Sequence, residues 1–247
     1  MCTIVQTFGQ NKEKHMGLIA SSNGSGGDFE VVPTGTHRAI CYKLADAGTR
    51  EEKFKDEDAK KRHTIFIFFE LPDLRTAKDK PFSIFKQYTL SLNENSALHK
   101  DLKSWRGKSF SEAELRSFDM ANILGVNCDI EVEHTAGGRA KIVSIFKPDG
   151  GAKKVVTEND QILFDLETYC KEFSGESCAE SKLACDVFAD LPAFLCEMIE
   201  GSYELAAAYA KGRKAELLES KGGLAAMSSV KKAPVVVDDF LNDDIPF

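Results

Sequence analysis

The chain has 247 residues, 43% of them hydrophobic and 29% charged, which is enough apolar content for one domain with appendages or for two small domains. No apolar run reaches the roughly twenty residues of a membrane span, and Met1 to Gly27 lacks the basic start and apolar centre of a secretion signal, so no membrane and a cytoplasmic location are expected. Seven cysteines, an odd number with no C-x-x-C pair, argue against a disulfide framework and for a reducing compartment.

The net charge of −7 is unevenly spread: residues 1–150 hold 22 basic and 21 acidic side chains, and residues 151–247 hold 10 and 18. Any group that meets phosphate is therefore expected in the first half.

Residues 1–27 end in a Ser/Gly-rich stretch and read as a flexible lead-in. Thr36 to Asp46 alternates, with Ala39, Cys41 and Ala45 on one parity and Arg38, Ile40, Tyr42 and Leu44 on the other, which predicts a first strand. A charged loop from Gly48 to Arg62 leads to His63–Leu71, apolar on both faces: Ile65, Ile67, Phe69 and Leu71 against Phe66 and Phe68. Pro72 is expected to stop this second strand. Phe82 to Leu92 reads as a third, with Ile84, Tyr88, Leu90 and Leu92 opposite Ser83, Phe85, Gln87 and Thr89.

Leu98, Leu102 and Trp105 recur at helical spacing between a cap at Asn95 or Ser96 and Gly107, and Trp105 is expected to pack. Ser111-x-x-Glu114 forms a capping box. Val126 to His134 alternates, with Val126, Cys128, Ile130 and Val132 inward and an acidic outer face. Gly137-Gly138 turns the chain into a fifth strand, Arg139 to Phe146. This element order predicts a mainly β protein built on a five-stranded OB-fold Greek-key barrel.

Residues 30–150 also resemble phage-encoded OB-fold single-stranded-DNA-binding proteins. The resemblance runs through Pro33-x-Gly35, Phe69-Glu-Leu-Pro72, Lys86-x-Tyr-Thr-Leu-Ser-Leu92, Leu98-x-Lys-Asp-Leu-x-x-Trp-Arg-Gly107 and Asn122-x-Leu-Gly125. It implies a protein of a bacterial host's cytoplasm that binds single-stranded DNA. Such binding needs cations along the phosphates and flat rings against the bases. Arg38, Tyr42 and Lys43 on the first strand, Lys60, Lys61 and Arg62 before the second, Phe66 and Phe68 on it, and Phe85, Lys86 and Tyr88 on the third supply both. Strand parity leaves open whether the Phe85 face or the Lys86/Tyr88 face is the outer one.

Beyond the barrel, Gln161 to Phe173 fits either a helical stripe or, from Ile162 to Leu166, an added edge strand. Cys170, Cys178, Cys185 and Cys196 are spaced too widely for a zinc finger, and neither metal nor cofactor is expected. Asp190 is placed to cap a helix with Pro192 in its first turn and Leu191, Leu195, Met198 and Ile199 on its apolar face. Glu204 to Ser220 reads as helical up to Gly222-Gly223, and Ala225 to Val237 as linker. The expected segments are thus 1–27, the barrel at 28–150, a helical appendage at 151–224, and a linker with a disordered acidic tip at 225–247.

That tip, Asp238-Asp-Phe-Leu-Asn-Asp-Asp-Ile-Pro-Phe247, sets carboxylates among large apolar side chains. It resembles the acidic tip of bacterial single-stranded-DNA-binding proteins and their phage counterparts, which recruits replication and repair enzymes. Asp243, Asp244, Ile245, Pro246 and Phe247 match that tip residue for residue. Asp239 and Phe240 resemble its upstream Asp-Phe, with a spacer one residue longer. The resemblance implies partner binding there. With no P-loop, GxGxxG, GxSxG or HExxH, no enzyme is expected. The expected function is coating of single-stranded DNA with recruitment through the tip. The alternative is a non-coating adaptor that mimics the tip to bind host replication proteins.

Overall fold

The computed structural model describes residues 30–52, 58–149 and 154–227, with side chains as far as Ala215. Contacts divide the chain between Val31 and Val32, and the unit that begins at Val32 holds every element below. The expected flexible segment 1–27 and the acidic tip lie outside the described residues.

Strands β1 (Gly35–Glu52), β2 (Lys60–Arg75), β3 (Pro81–Thr89), β4 (Asn127–His134) and β5 (Ala140–Phe146) form an antiparallel sheet in the order β3-β2-β1-β4-β5. Helices α1 (Ala97–Arg106) and α2 (Glu112–Arg116) lie between β3 and β4. A short β6 (Ile162–Phe164) and helices α3 (Leu166–Lys171), α4 (Ala179–Ala189), α5 (Ala193–Glu200) and α6 (Tyr203–Met227) follow. The class is therefore mixed α/β and not mainly β, because the C-terminal helices build a core of their own with the sheet. Among the described residues no ladder joins β3 to β5, so the sheet is not a closed barrel.

β1 outruns its expected end at Asp46. Gly48, with φ 73°, takes up a register shift between Asp46 and Thr49, after which Glu51 and Glu52 oppose Lys61 and Lys60. These cross-strand charge pairs favour continued pairing. A Cβ at Gly48 would fall 2.6 Å from Leu166 and 2.7 Å from Ser202, so this position also needs a glycine for space. A second shift, between Cys41 and Lys43, breaks simple parity. Ala39, Cys41 and Leu44 face one core, while Tyr42 and Ala45 face the other. Pro72 does not end β2, which continues to Arg75 across an irregularity that suits a residue without an N–H.

Local signals are met around α1 and α2. The Ser96 side chain accepts from the His99 amide, Gly107 adopts the left-handed conformation, and both halves of the Ser111/Glu114 capping box are present. Trp105 is buried and donates from Nε1 to the Asn127 carbonyl at 2.8 Å. The ambiguous Gln161–Phe173 segment does both things: β6 pairs in parallel with Lys43–Ala45, and α3 starts two residues later. β1 is thus flanked along its first half by β4 and along its second by β6. Asp190 caps the C-terminus of α4 and not the start of α5, whose N-cap is Pro192. α6 runs through Gly222 and Gly223 to Met227.

Two cores result. Between the sheet and α1 lie Cys41, Leu44, Ile67, Phe69, Leu102 and Ile130, with others. Between β1–β2 and the C-terminal helices lie Tyr42, Ala45, Phe66, Phe68, Phe164, Leu195 and Ile199, with others. Removing the helices would expose this second set, each large side chain of which contributes about 1.5–3 kcal/mol by burial. Residues 28–150 alone are therefore expected to aggregate or lose cooperative melting, whereas residues 28–227 should melt as one unit. A monodisperse, cooperatively melting 28–150 fragment would show the second core to be dispensable.

Glu204 at the start of α6 joins helix to sheet: it accepts from the Thr49 amide at 2.8 Å and the Thr49 hydroxyl at 2.5 Å. His63 lies alongside, with Nε2 2.6 Å from Asp46 Oδ1 and Nδ1 3.7 Å from Glu204 Oε1. The hydrogen bond to Asp46 raises the His63 pKa against its burial, and the charges of Asp46 and Glu204 add to the rise. For Glu204, burial pushes the carboxyl up, but the Thr49 hydroxyl and amide outweigh it and hold the pKa below the ordinary value. A raised histidine stabilises fully below its unfolded value of about 6.5 and loses that contribution as pH climbs through its folded value. A depressed carboxylate stabilises above about 4.3 and loses that contribution as pH falls through its folded value. The melting temperature should therefore drop as pH climbs above about 6.5, and His63→Gln should flatten this drop while leaving the acid limb.

Candidate nucleic-acid interface

The outer face of β1–β2–β3 carries Tyr42, Lys43 and Ala45 on β1, Arg62, Thr64, Phe66, Phe68 and Glu70 on β2, and Ser83, Phe85, Gln87 and Thr89 on β3. The C-terminal segments cover the first two strands. Phe66 is 2% and Phe68 4% exposed. Glu70, wholly buried, accepts from the Glu158 and Asn159 amides and from Asn159 Nδ2 at 2.7, 3.0 and 2.5 Å. The cover stops at β3, where Ser83, Phe85, Gln87 and Thr89 are all exposed.

This answers the question of faces: Phe85 points outward and Tyr88 inward. Phe85 is 44% exposed and rests on Phe68 and Phe66, with ring centroids 5.3 and 5.7 Å away. Tyr88 is buried in the inner core and donates to Asp101 at 2.8 Å; burial, then the Asp101 charge, drives its pKa far up. Lys86 is set between the unpaired edges of β3 and β5, with Nζ 2.7 Å from Asp101 Oδ2 and 3.3 Å from the Val143 carbonyl. It spans the gap that a ladder would otherwise close.

The remaining candidates differ in burial and in what they touch. Arg38 is half-buried and ion-paired to Asp129 at 2.5 Å. Tyr42 is packed edge-on to Phe68 with its hydroxyl 3.0 Å from Ser83 Oγ. The β1 bulge brings Lys43 onto the same face, with Nζ 5.7 Å from the Phe68 ring and 5.9 Å from the Tyr42 ring. Burial lowers the Lys43 pKa, opposed by the Asp190 charge. Lys60 is exposed at the start of β2. Lys61 lies 4.5 Å over the Tyr203 ring, and the Tyr203 hydroxyl donates to Glu51 at 2.7 Å. Arg62, with Glu52, Gln87, Thr89, Asn93 and Asn95, lines a polar groove of about 620 Å³ that continues the β3 strip toward α1.

The stacking roles expected of Phe66, Phe68, Tyr42 and Tyr88 are thus closed to them in this arrangement, since their rings fill the two cores. Among the expected rings Phe85 alone presents a face to solvent. Among the expected cations, Arg62 lines the groove beside Gln87 and Thr89 of that strip. Sequence reasoning missed Phe194 of α5, which stacks on Phe85, and the amides of Gln87, Asn93 and Asn95. Phe194 lies off the Leu191/Leu195/Ile199 stripe of its helix, and an aromatic outside an apolar stripe was the available signal. Asp239, Phe240, Asp243, Asp244, Ile245, Pro246 and Phe247 lie outside the described residues.

Among the described residues no group of His, Cys, Asp and Glu is placed to hold a metal ion, and the six cysteines are free thiols. No helix among them is long and apolar enough to cross a membrane. No protein-family model matches the chain, and neither does any curated protein.

Burial separates the two phenylalanines of the outer face. Phe66→Ala should cost about 3–5 kcal/mol of unfolding free energy, and Phe85→Ala about 1 kcal/mol or less. Equal losses in urea denaturation would place Phe85 in the core and remove the strip as an interface.

Proposed function

We propose that the chain binds single-stranded DNA without sequence preference, coats it during replication or recombination, and recruits partner enzymes through Asp239–Phe247. In this reading the five strands are a partly open Greek-key barrel of the OB type. The order β3-β2-β1-β4-β5, with α1 between β3 and β4, supports it, and in such barrels the β2–β3 face takes oligonucleotides.

The observation that carries the DNA-binding half is the strip on β3: an exposed ring, Phe85, in a row with Ser83, Gln87 and Thr89 and leading to Arg62. A ring stacks on any base and these polar side chains make no base-specific pattern, which suits binding without sequence preference. The recruitment half is supported by the residue-for-residue resemblance of Asp243–Phe247 to the bacterial tip. No catalytic step belongs to this reading.

One observation favours the adaptor reading. Arg38, Lys43, Lys61 and Lys86 are engaged with protein groups, which leaves fewer cations for phosphate. Titration of labelled oligo-dT at two salt concentrations separates the readings. A coating protein loses affinity as salt rises, by a log–log slope of about −0.7 per phosphate contact, whereas an adaptor hardly binds. Arg62→Ala should flatten that slope by about 0.7, and Phe85→Ala should weaken binding by about 1–3 kcal/mol without changing it. An unchanged affinity in both variants would move the DNA site off β3.

The tip is expected to act on partners and not on DNA. Phe247→Ala should abolish most binding to a replication or repair enzyme that recognises bacterial tips, while oligo-dT affinity stays as in the intact chain. Deleting Asp238–Phe247 removes side-chain carboxylates and should leave DNA affinity equal or higher, mainly at low salt. Undiminished enzyme binding by Phe247→Ala would rule out recruitment through this segment.

A further inference from the structure

Among the described residues two exposed phenylalanines, Phe85 at 44% and Phe194 at 37%, stack on each other. Their centroids are 5.3 Å apart with planes 24° from parallel. Beneath them the buried Phe66 meets both edge-on, at 5.7 Å and 61° to Phe85 and at 5.6 Å and 65° to Phe194. One core ring thus holds two surface rings in a fixed relation.

Packing of α5 does not rest on Phe194 alone. Leu195 and Ile199, at 0% exposure, and Leu191 attach the helix to the sheet, while Phe194 keeps over a third of its surface in water. The pair sits between exposed Ser83 and Gln87 on β3, and the outward residues of that strand, Ser83, Phe85, Gln87 and Thr89, include no carboxylate to repel a phosphate. Two rings are too small a patch to hold a protein partner alone. A ring stack that opens to solvent does suit a nucleobase, which offers one more flat face to it.

We infer that Phe194 contacts bases: a nucleobase extends the Phe85–Phe194 stack, so that the helical half supplies part of the single-stranded-DNA interface. This rests on the proposed DNA binding and extends it beyond the barrel strands. The base lies against the solvent-facing surface of Phe194, beside Phe85 and its exposed strand neighbours Ser83 and Gln87.

The test uses the full chain and labelled oligo-dT. Phe194→Leu keeps apolar contact with Phe66 but has no flat face, so it should bind about 5- to 150-fold more weakly, as should Phe194→Ala, with an unchanged salt slope because no charge is lost. Phe194→Trp should retain the intact chain's affinity within a few-fold. Its fluorescence should be quenched by oligo-dT, a signal that the buried Trp105, at 4% exposure, does not supply. If the intact chain binds and Phe194→Leu binds equally, the inference is wrong and the DNA-binding reading survives. Tighter binding by Phe194→Ala would also overturn it, by making Phe194 a shield over Phe85. If the intact chain fails to bind oligo-dT at low salt, the functional reading falls and this inference falls with it.

Discussion

A strand that is apolar on both faces needs two cores, and β2 imposes that demand on the rest of the protein. Ile65, Ile67, Phe69 and Leu71 on one side and Phe66 and Phe68 on the other are all less than 10% exposed. Strands of this kind belong inside layered structures. The first side is met by the curved sheet and α1. The second cannot be met by strands of the same sheet, and this is why α3 to α5 and β6 lie where they do. The helical half is therefore a structural requirement of the strand half.

Polar groups hold the cover at two places where apolar contact alone would leave its position undefined. At one end the wholly buried Glu70 takes three donors from Glu158 and Asn159. A buried carboxylate is tolerable only when so satisfied, and removing the donors would leave it costly. At the other end Glu204 binds Thr49 and approaches His63. Between them β6 adds backbone pairing along Lys43–Ala45. The layer ends at α5, so the outer face of β3 stays bare, and Phe194 stands at the boundary between covered and open sheet.

The sequence carried the order of elements and the local caps well, because alternation, Ser96, Gly107 and the Ser111/Glu114 pair are short-range signals. It carried the faces less well. The bulge at Tyr42–Lys43 inverts the parity of β1 beyond it, and no single-strand pattern announces a bulge. The double-sided burial of β2 was visible as a pattern, but whether Phe66 and Phe68 meet bases or helices depends on residues more than a hundred positions away. Helix α4 was not anticipated; of its apolar residues Ala184 is buried, Val187 and Phe188 are partly buried, and Leu183 is exposed. Lys86 read as a phosphate ligand because its role as a brace between β3 and β5 requires knowing that those edges approach without pairing.

Under the proposed function, charge bears on what kind of nucleic acid such a surface would select. Duplex DNA offers a protein chiefly phosphates, so affinity for it scales with cations aimed outward. Here Arg38 and Lys86 are spent on Asp129 and Asp101, Lys43 lies over rings, and residues 151–247 carry an excess of acid. A surface of this composition gains little from a duplex whose bases are stacked away. An unpaired strand adds what the duplex withholds, the faces of its bases, and stacking contributes about 1–3 kcal/mol for each. Under the proposed function, the engagement of Arg38, Lys43 and Lys86 with protein groups and the exposure of stacked rings therefore act together: the first weakens binding to paired DNA, and the second restores it for single strands.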